Sequence, residues 1–254
     1  MKKTGCAEMP NVCIIIPCFN AARTLSRALN SCLAQEAAQV IVVDDNSQDS
    51  SAAIVQYYAL KDRRVELLKM CENCGPAKAR NYGANHAKYP VLAFLDADDE
   101  YLPGALATAT TYLSQNPLRP AVRLDVDFST FPSEIIAGPN FEQLAHVMSD
   151  SVASSLVIKR SVFLALGGFP FDEVFRRYGG EDSALSNAVN DIYGCFRIGG
   201  RKWVRMHYHQ NSHAARFFRR AMGEPMHPRE HSEIVEAIDR FVQRARQAIY
   251  PEAG

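Results

Sequence analysis

The first half of the chain alternates short apolar runs with segments whose apolar residues recur at helical spacing. The apolar runs predict buried strands at residues 12–16, 40–43, 65–70 and 91–95. Between them, the pattern predicts helices at 25–33, up to residue 60, from Gly75-Pro76 to about residue 87, and from Pro103 onward. This β-α-β-α-β-α-β order predicts an α/β fold with a largely parallel sheet and right-handed crossovers.

The second half is less regular. Its pattern predicts strands at 121–128 and 154–158, a helix at 181–193, one or two strands within 197–207, and a helical C-terminal tail. We therefore predict one main domain over residues 1–212 and a helical extension over 213–254 that packs on it. No G-x-G-x-x-G follows the first strand and no G-x-x-x-x-G-K-[ST] occurs, so a bound nucleotide would need another phosphate-binding device.

Composition adds limits on partners and compartment. Lysine plus arginine and aspartate plus glutamate both number 28, which argues against a dedicated nucleic-acid binder. The 7 cysteines are scattered, and Cys71 and Cys74 form a lone C-x-x-C, so we expect reduced thiols in a cytoplasmic protein. Lys2 and Lys3 precede no apolar signal core, and no run approaches the length of a membrane span. Peripheral contact with the inner face of a membrane stays open.

The most informative segment is the strand at 91–95, which runs directly into Asp96-Ala97-Asp98-Asp99. Buried charge is costly unless a cation or a polar ligand compensates it, and ligands of open α/β sheets bind at the carboxyl ends of the strands. Oxygen ligands of this kind suit Mg²⁺ or Mn²⁺ shared with a substrate phosphate. The alternative is a solvated acidic turn.

Further motifs follow in a fixed order along the chain. They are Pro17-Cys18-Phe19-Asn20, Asp44-Asp45, Gly75-Pro76-Ala77-Lys78-Ala79-Arg80-Asn81, Gly167-Gly168-Phe169 and Gly179-Gly180-Glu181-Asp182. With the acidic strand end, they closely resemble the family 2 glycosyltransferases over residues 12–212. The resemblance implies a GT-A fold, which is a Rossmann-like, mostly parallel sheet flanked by helices, and transfer of a sugar from a nucleotide diphosphate.

The resemblance also implies where the nucleotide binds. Pro17, Phe19 and Asn20 would lie near the base, with the ring of Phe19 able to stack on it, and Asp45 would accept a hydrogen bond from the base. The alternative for Phe19 is packing in the core. The alternative for Asp45 is a helix cap, although Asp49 is also suited to that role. Asp44 is expected to be structural.

Two basic residues are candidates for the phosphates. Lys78 and Arg80 lie in the first turns of a predicted helix, where their charge opposes the helix dipole unless they face an anion. Arg80 can bind the diphosphate or pair with the acidic turn. For Lys78, a solvated helix face is an equal alternative.

The acidic turn is assigned by resemblance to ribose and metal. Asp96 would contact the ribose or nucleotide, and Asp98 would hold Mn²⁺ or Mg²⁺ on the diphosphate, with Asp96 as a further ligand. Among His207, His209 and His213, the segment at His209 looks most like the one that completes the metal shell. The alternative is a histidine that lies at the surface or contacts a metal ligand without binding the metal.

The acceptor hydroxyl needs a positioned base. Asp182 is the candidate, with Glu181 beside it, and one carboxylate suffices for an inverting single displacement. The alternative is that both are acidic residues favoured in a first helical turn. Asp125 and Asp127 form a second Asp-x-Asp, which alternation assigns to a polar sheet face.

The acceptor itself has no motif. From residue 195 to 229 there are eight arginines or lysines against one acid, which suggests an acidic acceptor such as a lipid-linked diphosphate, or else a solvated or oligomer-forming surface. We expect a nucleotide sugar donor, with a UDP-sugar as first choice, and a saccharide or lipid-linked acceptor. The alternatives are a sugar-phosphate nucleotidyltransferase and a non-catalytic nucleotide-sugar-binding protein. Donor sugar, linkage and oligomeric state have no signal in the sequence.

Overall fold

The computed structural model describes residues 12–210, 212–225 and 228–251. In this part of the chain the strands of the main sheet are β1 Val12–Cys18, β2 Gln39–Asp44, β3 Val65–Lys69, β4 Val91–Phe94, β6 Ala121–Leu124, β8 Leu156–Lys159 and β9 Phe196–Ile198. A small second sheet contains β5 Glu100–Tyr101, β7 Val126–Asp127 and β10 Val204–Arg205.

The main sheet has the order β3-β2-β1-β4-β8-β6-β9. Its pairs are parallel except where β8 lies antiparallel to β4 and β6. The helices are α1 Leu25–Leu33, α2 Ser51–Lys61, α3 Pro76–His86, α4 Ala105–Gln115, α5 Ser133–Ile136, α6 Phe141–Ser151, α7 Arg160–Ala165, α8 Glu173–Tyr178, α9 Glu181–Tyr193, α10 His213–Ala221 and α11 Pro228–Ile249. The predicted α/β class and mostly parallel sheet are confirmed.

The central strands of the main sheet are buried on both faces, as their apolar runs predict. In β1, Ile14 and Ile16 belong to one core cluster and Cys13 and Ile15 to the other, because successive side chains of a strand point to opposite faces. Helix α3 packs closely on this sheet at Gly83, where an added Cβ would lie 2.6 Å from Cγ2 of Ile15. The close packing fixes the helix that carries Arg80.

Some predicted boundaries are wrong. Residues 121–128 form two strands in different sheets, and the break falls at Asp125, which is buried and pairs with Lys202 at 2.9 Å. Asp127 pairs with Arg205 at 2.8 Å, so each acid of this second Asp-x-Asp has a basic partner rather than a shared solvated face. Helix α4 begins after Gly104 rather than at Pro103, because Gly104 adopts a left-handed conformation with φ of 82°.

The C-terminal helix α11 packs on α9, and its buried residues include Ala237, Phe241 and Ala245. The preceding helix α10 inserts Phe218 into the other core cluster, against Phe128 and other rings. The division at residue 212 stays a prediction.

Membrane and disulfide features follow from the same coordinates. No helix among the described residues is both long and apolar enough to cross a membrane. The cysteines in the described ranges form no disulfide, and Cys6, Lys2 and Lys3 lie outside them.

Candidate active site

A cleft of about 970 Å³ opens where β1, β2 and β4 end. This is the edge of an open parallel sheet at which ligands bind. Most of the residues predicted from sequence line it, namely Pro17, Phe19, Asn20, Asp45, Arg80, Asp96, Asp98, Glu181, Asp182 and His209. The fold therefore gathers side chains that lie up to 192 positions apart, from Pro17 to His209, into one cavity.

The end of the cleft at β1 and β2 is preformed by loop contacts. Phe19 is 49% exposed, so its ring is available to a ligand instead of packing in the core. Asp45 is buried, and its two carboxylate oxygens accept hydrogen bonds from the backbone N–H groups of Cys74 and Gly75, each at 2.8 Å. Asp45 thus ties the loop after β2 to the start of α3. The base contact predicted for it stays a prediction.

Neighbouring polar residues hold the same loops. The side-chain oxygen of Asn20 accepts from the backbone N–H of Gln48 at 2.8 Å, and Asp44 accepts from the N–H of Ser47 at 3.2 Å. Lys78 is outside the cleft lining, and its ammonium lies 5.3 Å from the ring centroid of Phe171. A diphosphate contact for Lys78 stays a prediction.

Arg80 connects the two acidic motifs. Its buried guanidinium donates from Nη2 to Asp96 at 2.7 Å and from Nη1 to Glu181 at 3.1 Å, and it lies 5.2 Å from the ring of Phe169. Burial lowers the pKa of Arg80, but the carboxylates of Asp96 and Glu181 raise it by more, so it is held as a cation. The structure shows Arg80 paired with the acidic turn, and a diphosphate contact for Arg80 stays a prediction.

The three carboxylates after β4 have different surroundings. Asp99 is buried and accepts from the backbone N–H of His207 at 3.0 Å and from the hydroxyl of Ser154 at 3.4 Å. Burial, with the nearby charges of Asp98 and Asp96, raises the pKa of Asp99 well above its ordinary value. Asp99 therefore fastens the segment after β10 to the acidic turn.

Asp98 meets the imidazole of His209, whose Nε2 contacts its Oδ2. The hydrogen bond that His209 donates to the carboxylate of Asp98 raises the pKa of His209. Their side chains are 33% and 51% exposed, so both reach the cleft. The sequence analysis predicted that Asp98 and His209 belong to one site, although they are 111 positions apart along the chain.

This pair fits a divalent cation bound jointly with substrate. Within the described ranges no three His, Cys, Asp or Glu side chains form a ready metal cluster. A carboxylate and an imidazole are suitable donors, and Mg²⁺ in particular takes few protein ligands and completes its shell with phosphate oxygens and water. Asp96 has one oxygen engaged by Arg80, and His213 instead contacts the carbonyl of Tyr178 at 3.2 Å. The metal assignment for Asp96 stays a prediction.

The double glycine before α9 shapes the remaining wall. Gly179 and Gly180 have φ of 80° and 98°, a region that favours glycine. An added Cβ on Gly179 would lie 1.8 Å from Nε2 of His213, so the glycine leaves room for that ring. This space-making role differs from the close backbone approach to substrate that the sequence suggests.

Glu181 and Asp182 follow in the first turn of α9 and are not equivalent. Glu181 is engaged by Arg80, and burial together with Asp182 raises its pKa. Asp182 lines the cleft, and among the described residues no cation pairs with it. Asp182 is the better candidate for a base that must meet a substrate.

Asn81 is a residue whose role the sequence did not reveal. Its amide donates to the carbonyl of Phe169 at 2.7 Å, and its oxygen accepts from the N–H of the same residue at 2.9 Å. Gly168 permits this contact, since an added Cβ would lie 2.5 Å from Oδ1 of Asn81. The contact thus joins the segment of Arg80 and Asn81 to the segment Gly167-Gly168-Phe169. Both segments belong to the family pattern seen in the sequence, but that pattern does not specify their contact.

Replacing Asn81 with Asp should lower the free energy of unfolding by about 1–3 kcal/mol, because the carboxylate cannot donate to the Phe169 carbonyl. Urea denaturation followed by fluorescence measures the change. Asn85→Asp on the exposed end of the same helix is the control, and equal stability of the two variants would contradict the role given to Asn81.

Comparison with known proteins agrees with this architecture. Residues 13–132 match the model of "Glycosyl transferase family 2". Through these residues the chain is similar to that family. The succinoglycan biosynthesis protein ExoU of Rhizobium meliloti is 44% identical over 101 residues, which cover 39% of this chain and 30% of that relative. The match thus spans less than a third of the relative's length.

Solved structures resemble a larger part of the chain. The mannosyltransferase PcManGT from Pyrobaculum calidifontis, in complex with GDP-Man and Mn²⁺, has a TM-score of 0.66 at 19% identity and covers 98% of this chain and 77% of its own. S. aureus TarS 1-349 in complex with UDP-GlcNAc has a TM-score of 0.66 at 16% identity, with 94% and 70% coverage. At these identities the likeness shows the fold.

Proposed function

We propose that the chain is a glycosyltransferase that moves a sugar from a nucleoside diphosphate donor to an acceptor hydroxyl. The observation that carries this proposal is the meeting of the Asp98–His209 pair and Asp182 in one cleft at the carboxyl edge of the sheet. The Asp98–His209 pair can bind a cation that stabilises the diphosphate leaving group. Asp182 can accept the proton of the acceptor hydroxyl.

In this mechanism the donor enters with its base beside the exposed ring of Phe19 and its diphosphate toward Asp98 and His209. A divalent cation held by Asp98 and His209 would supply positive charge to the leaving diphosphate. Asp182 takes the proton of the acceptor hydroxyl as its oxygen attacks the anomeric carbon. The bond to the diphosphate breaks in the same displacement, so the configuration inverts.

Arg80 sets the geometry of this reaction without touching the reacting atoms. By holding Glu181 it orients the first turn of α9, on which Asp182 lies, and by holding Asp96 it orients the acidic turn. The bridge therefore fixes the position of the base relative to the donor site, which matters because small misplacements are costly in rate.

Donor and acceptor are proposed at the level of class. The solved neighbours were crystallised with UDP-GlcNAc and with GDP-Man, and we propose a UDP-sugar as first choice for this chain. The acceptor is a saccharide or a lipid-linked saccharide. A thermal-shift screen of UDP-, GDP- and dTDP-sugars with and without Mn²⁺ tests the proposal, and no stabilisation by any of them would refute it.

Replacing Asp98 with Ala should weaken metal-dependent donor binding by about tenfold or more, because the carboxylate is the anionic member of the Asp98–His209 pair. Calorimetric titration of UDP-sugar with Mn²⁺ and with EDTA measures this. The wild type should lose affinity in EDTA and the variant should be weak in both. Asp127→Ala, outside the cleft, is the matched control.

A further inference from the structure

The cleft carries positive charge that the proposed mechanism does not use. Arg176, Arg177 and Arg216 line it, are exposed, and within the described ranges form no ion pair. The guanidinium carbon of Arg177 lies 5.0 Å from the ring of Tyr178. A fourth arginine with no ion pair among the described residues, Arg23, follows the loop of Phe19 at the base end.

These arginines contrast with the basic stretch that the sequence singled out at 195–229. There, most side chains are neutralised within the protein, and only Arg216 of that stretch's arginines lines the cleft. The pairs are Arg197–Asp150, Lys202–Asp125, Arg205–Asp127, Arg219–Glu224 and Arg220–Glu230. Among the described residues of this stretch, Arg216 has no ion pair and lines the cleft, whereas Arg201 has no ion pair and lies outside it, over the ring of Trp203.

The three arginines come from two helices that touch. Arg176 and Arg177 form the last turn of α8, and the imidazole of His213 at the start of α10 contacts the carbonyl of Tyr178, which ends α8. Arg216 lies three positions after His213, on the same side of α10. The contact brings both sources of charge to one wall.

That wall adjoins the proposed base. Tyr178 is followed directly by Gly179 and Gly180 and then by the turn that carries Asp182. Asp98, at which the donor diphosphate is proposed to bind together with His209, comes from the β4 end instead. Arg176 and Arg177 therefore lie on the side of Asp182, from which the acceptor approaches, and Arg216 on α10 adjoins them.

We propose that Arg176, Arg177 and Arg216 form a subsite for a phosphate or diphosphate on the acceptor substrate. This inference rests on the proposed function. Guanidinium groups match phosphate oxygens with paired donors, and a cleft lined with one sign of charge attracts the opposite one. The acceptor class is then a small molecule that bears a phosphate, such as a prenyl diphosphate-linked saccharide, in place of a neutral sugar.

The test uses geranyl diphosphate as the probe, with geraniol and inorganic pyrophosphate beside it, titrated calorimetrically into the whole protein with and without saturating UDP or GDP. Geranyl diphosphate should bind with nucleotide present, and geraniol should not. The double variant Arg176→Gln/Arg216→Gln should bind it about tenfold or more weakly while nucleotide affinity is unchanged. Arg63→Gln/Arg201→Gln removes the same charge from exposed arginines outside the cleft and should have no effect.

Three outcomes would overturn the inference. Displacement of geranyl diphosphate by the nucleotide would place it in the donor site, and equal affinity in both double variants would remove the arginines from recognition. If flotation with vesicles containing phosphatidylglycerol depends on the arginines while geranyl diphosphate does not bind, the partner is a membrane surface. Absence of nucleotide binding would refute the proposed function instead, and the titration without nucleotide would still decide whether the arginines bind the anion.

Discussion

Replacing Asp182 with Asn should lower kcat about 10²–10⁴-fold while nucleotide sugar binding persists, because the amide keeps the shape of the side chain and cannot accept the acceptor proton. Asp182 lines the cleft, and its neighbour Glu181 is occupied by Arg80, so no other carboxylate of that turn can replace it. Steady-state transfer to a saccharide acceptor, with calorimetric titration of the donor, measures both quantities.

The matched control is Asp191→Asn on the same helix α9. Asp191 pairs with Arg246 of α11 at 2.6 Å and is outside the cleft lining, so its replacement should leave kcat near the wild-type value. Transfer by the Asp182→Asn protein at the normal rate would show that the base has been misassigned. Loss of donor binding in the Asp182→Asn variant would instead indicate that Asp182 contacts the donor.

Replacing Arg80 with Gln should have the largest effect on stability. The change leaves Asp96 and Glu181 without their cationic partner in a site where Arg80 is only 6% exposed, and removing one member of a buried ion pair costs about 3–5 kcal/mol. The same variant should lose kcat, because the turn of Asp182 is no longer held. Urea denaturation and transfer assays measure the two effects.

Lysine cannot substitute for Arg80, since a single ammonium cannot reach two carboxylates as the guanidinium fork does. A triple variant, Arg80→Met with Asp96→Asn and Glu181→Gln, should regain stability and not activity. Arg244→Gln, which breaks an exposed pair with Asp172, is the control and should cost about 1 kcal/mol or less. Equal stability of the Arg80→Gln and wild-type proteins would exclude the bridging role.

The order of elements was available from local pattern. Apolar runs such as residues 12–16 are buried on both faces of a parallel sheet, because exposing their side chains to water is unfavourable. The acidic turn after β4 could be placed at the sheet edge for the same reason, because carboxyl ends of parallel strands converge there. The resemblance to a family then gathered Asp45, Asp98, Asp182 and His209 as one predicted site.

Other features depended on partners that no local pattern specifies. Asp125, at the break between β6 and β7, pairs with Lys202, 77 positions later, and Arg80 pairs with Glu181, 101 positions away, as well as with Asp96. The sequence offered a diphosphate or the acidic turn as the anion for Arg80 and gave no sign of Glu181. Asn81 likewise shows its contact with Phe169 only when α3 and the segment before α8 are packed together.

The sequence by itself determined the sheet, the helices beside it and the residue types at the strand ends, because hydrophobic periodicity and turn chemistry act over a few positions. Only the tertiary structure decided which charges are neutralised and which remain for a ligand. Ion pairing depends on where distant side chains come to lie. Arg205 has Asp127 beside it, whereas Arg216 faces the open cleft.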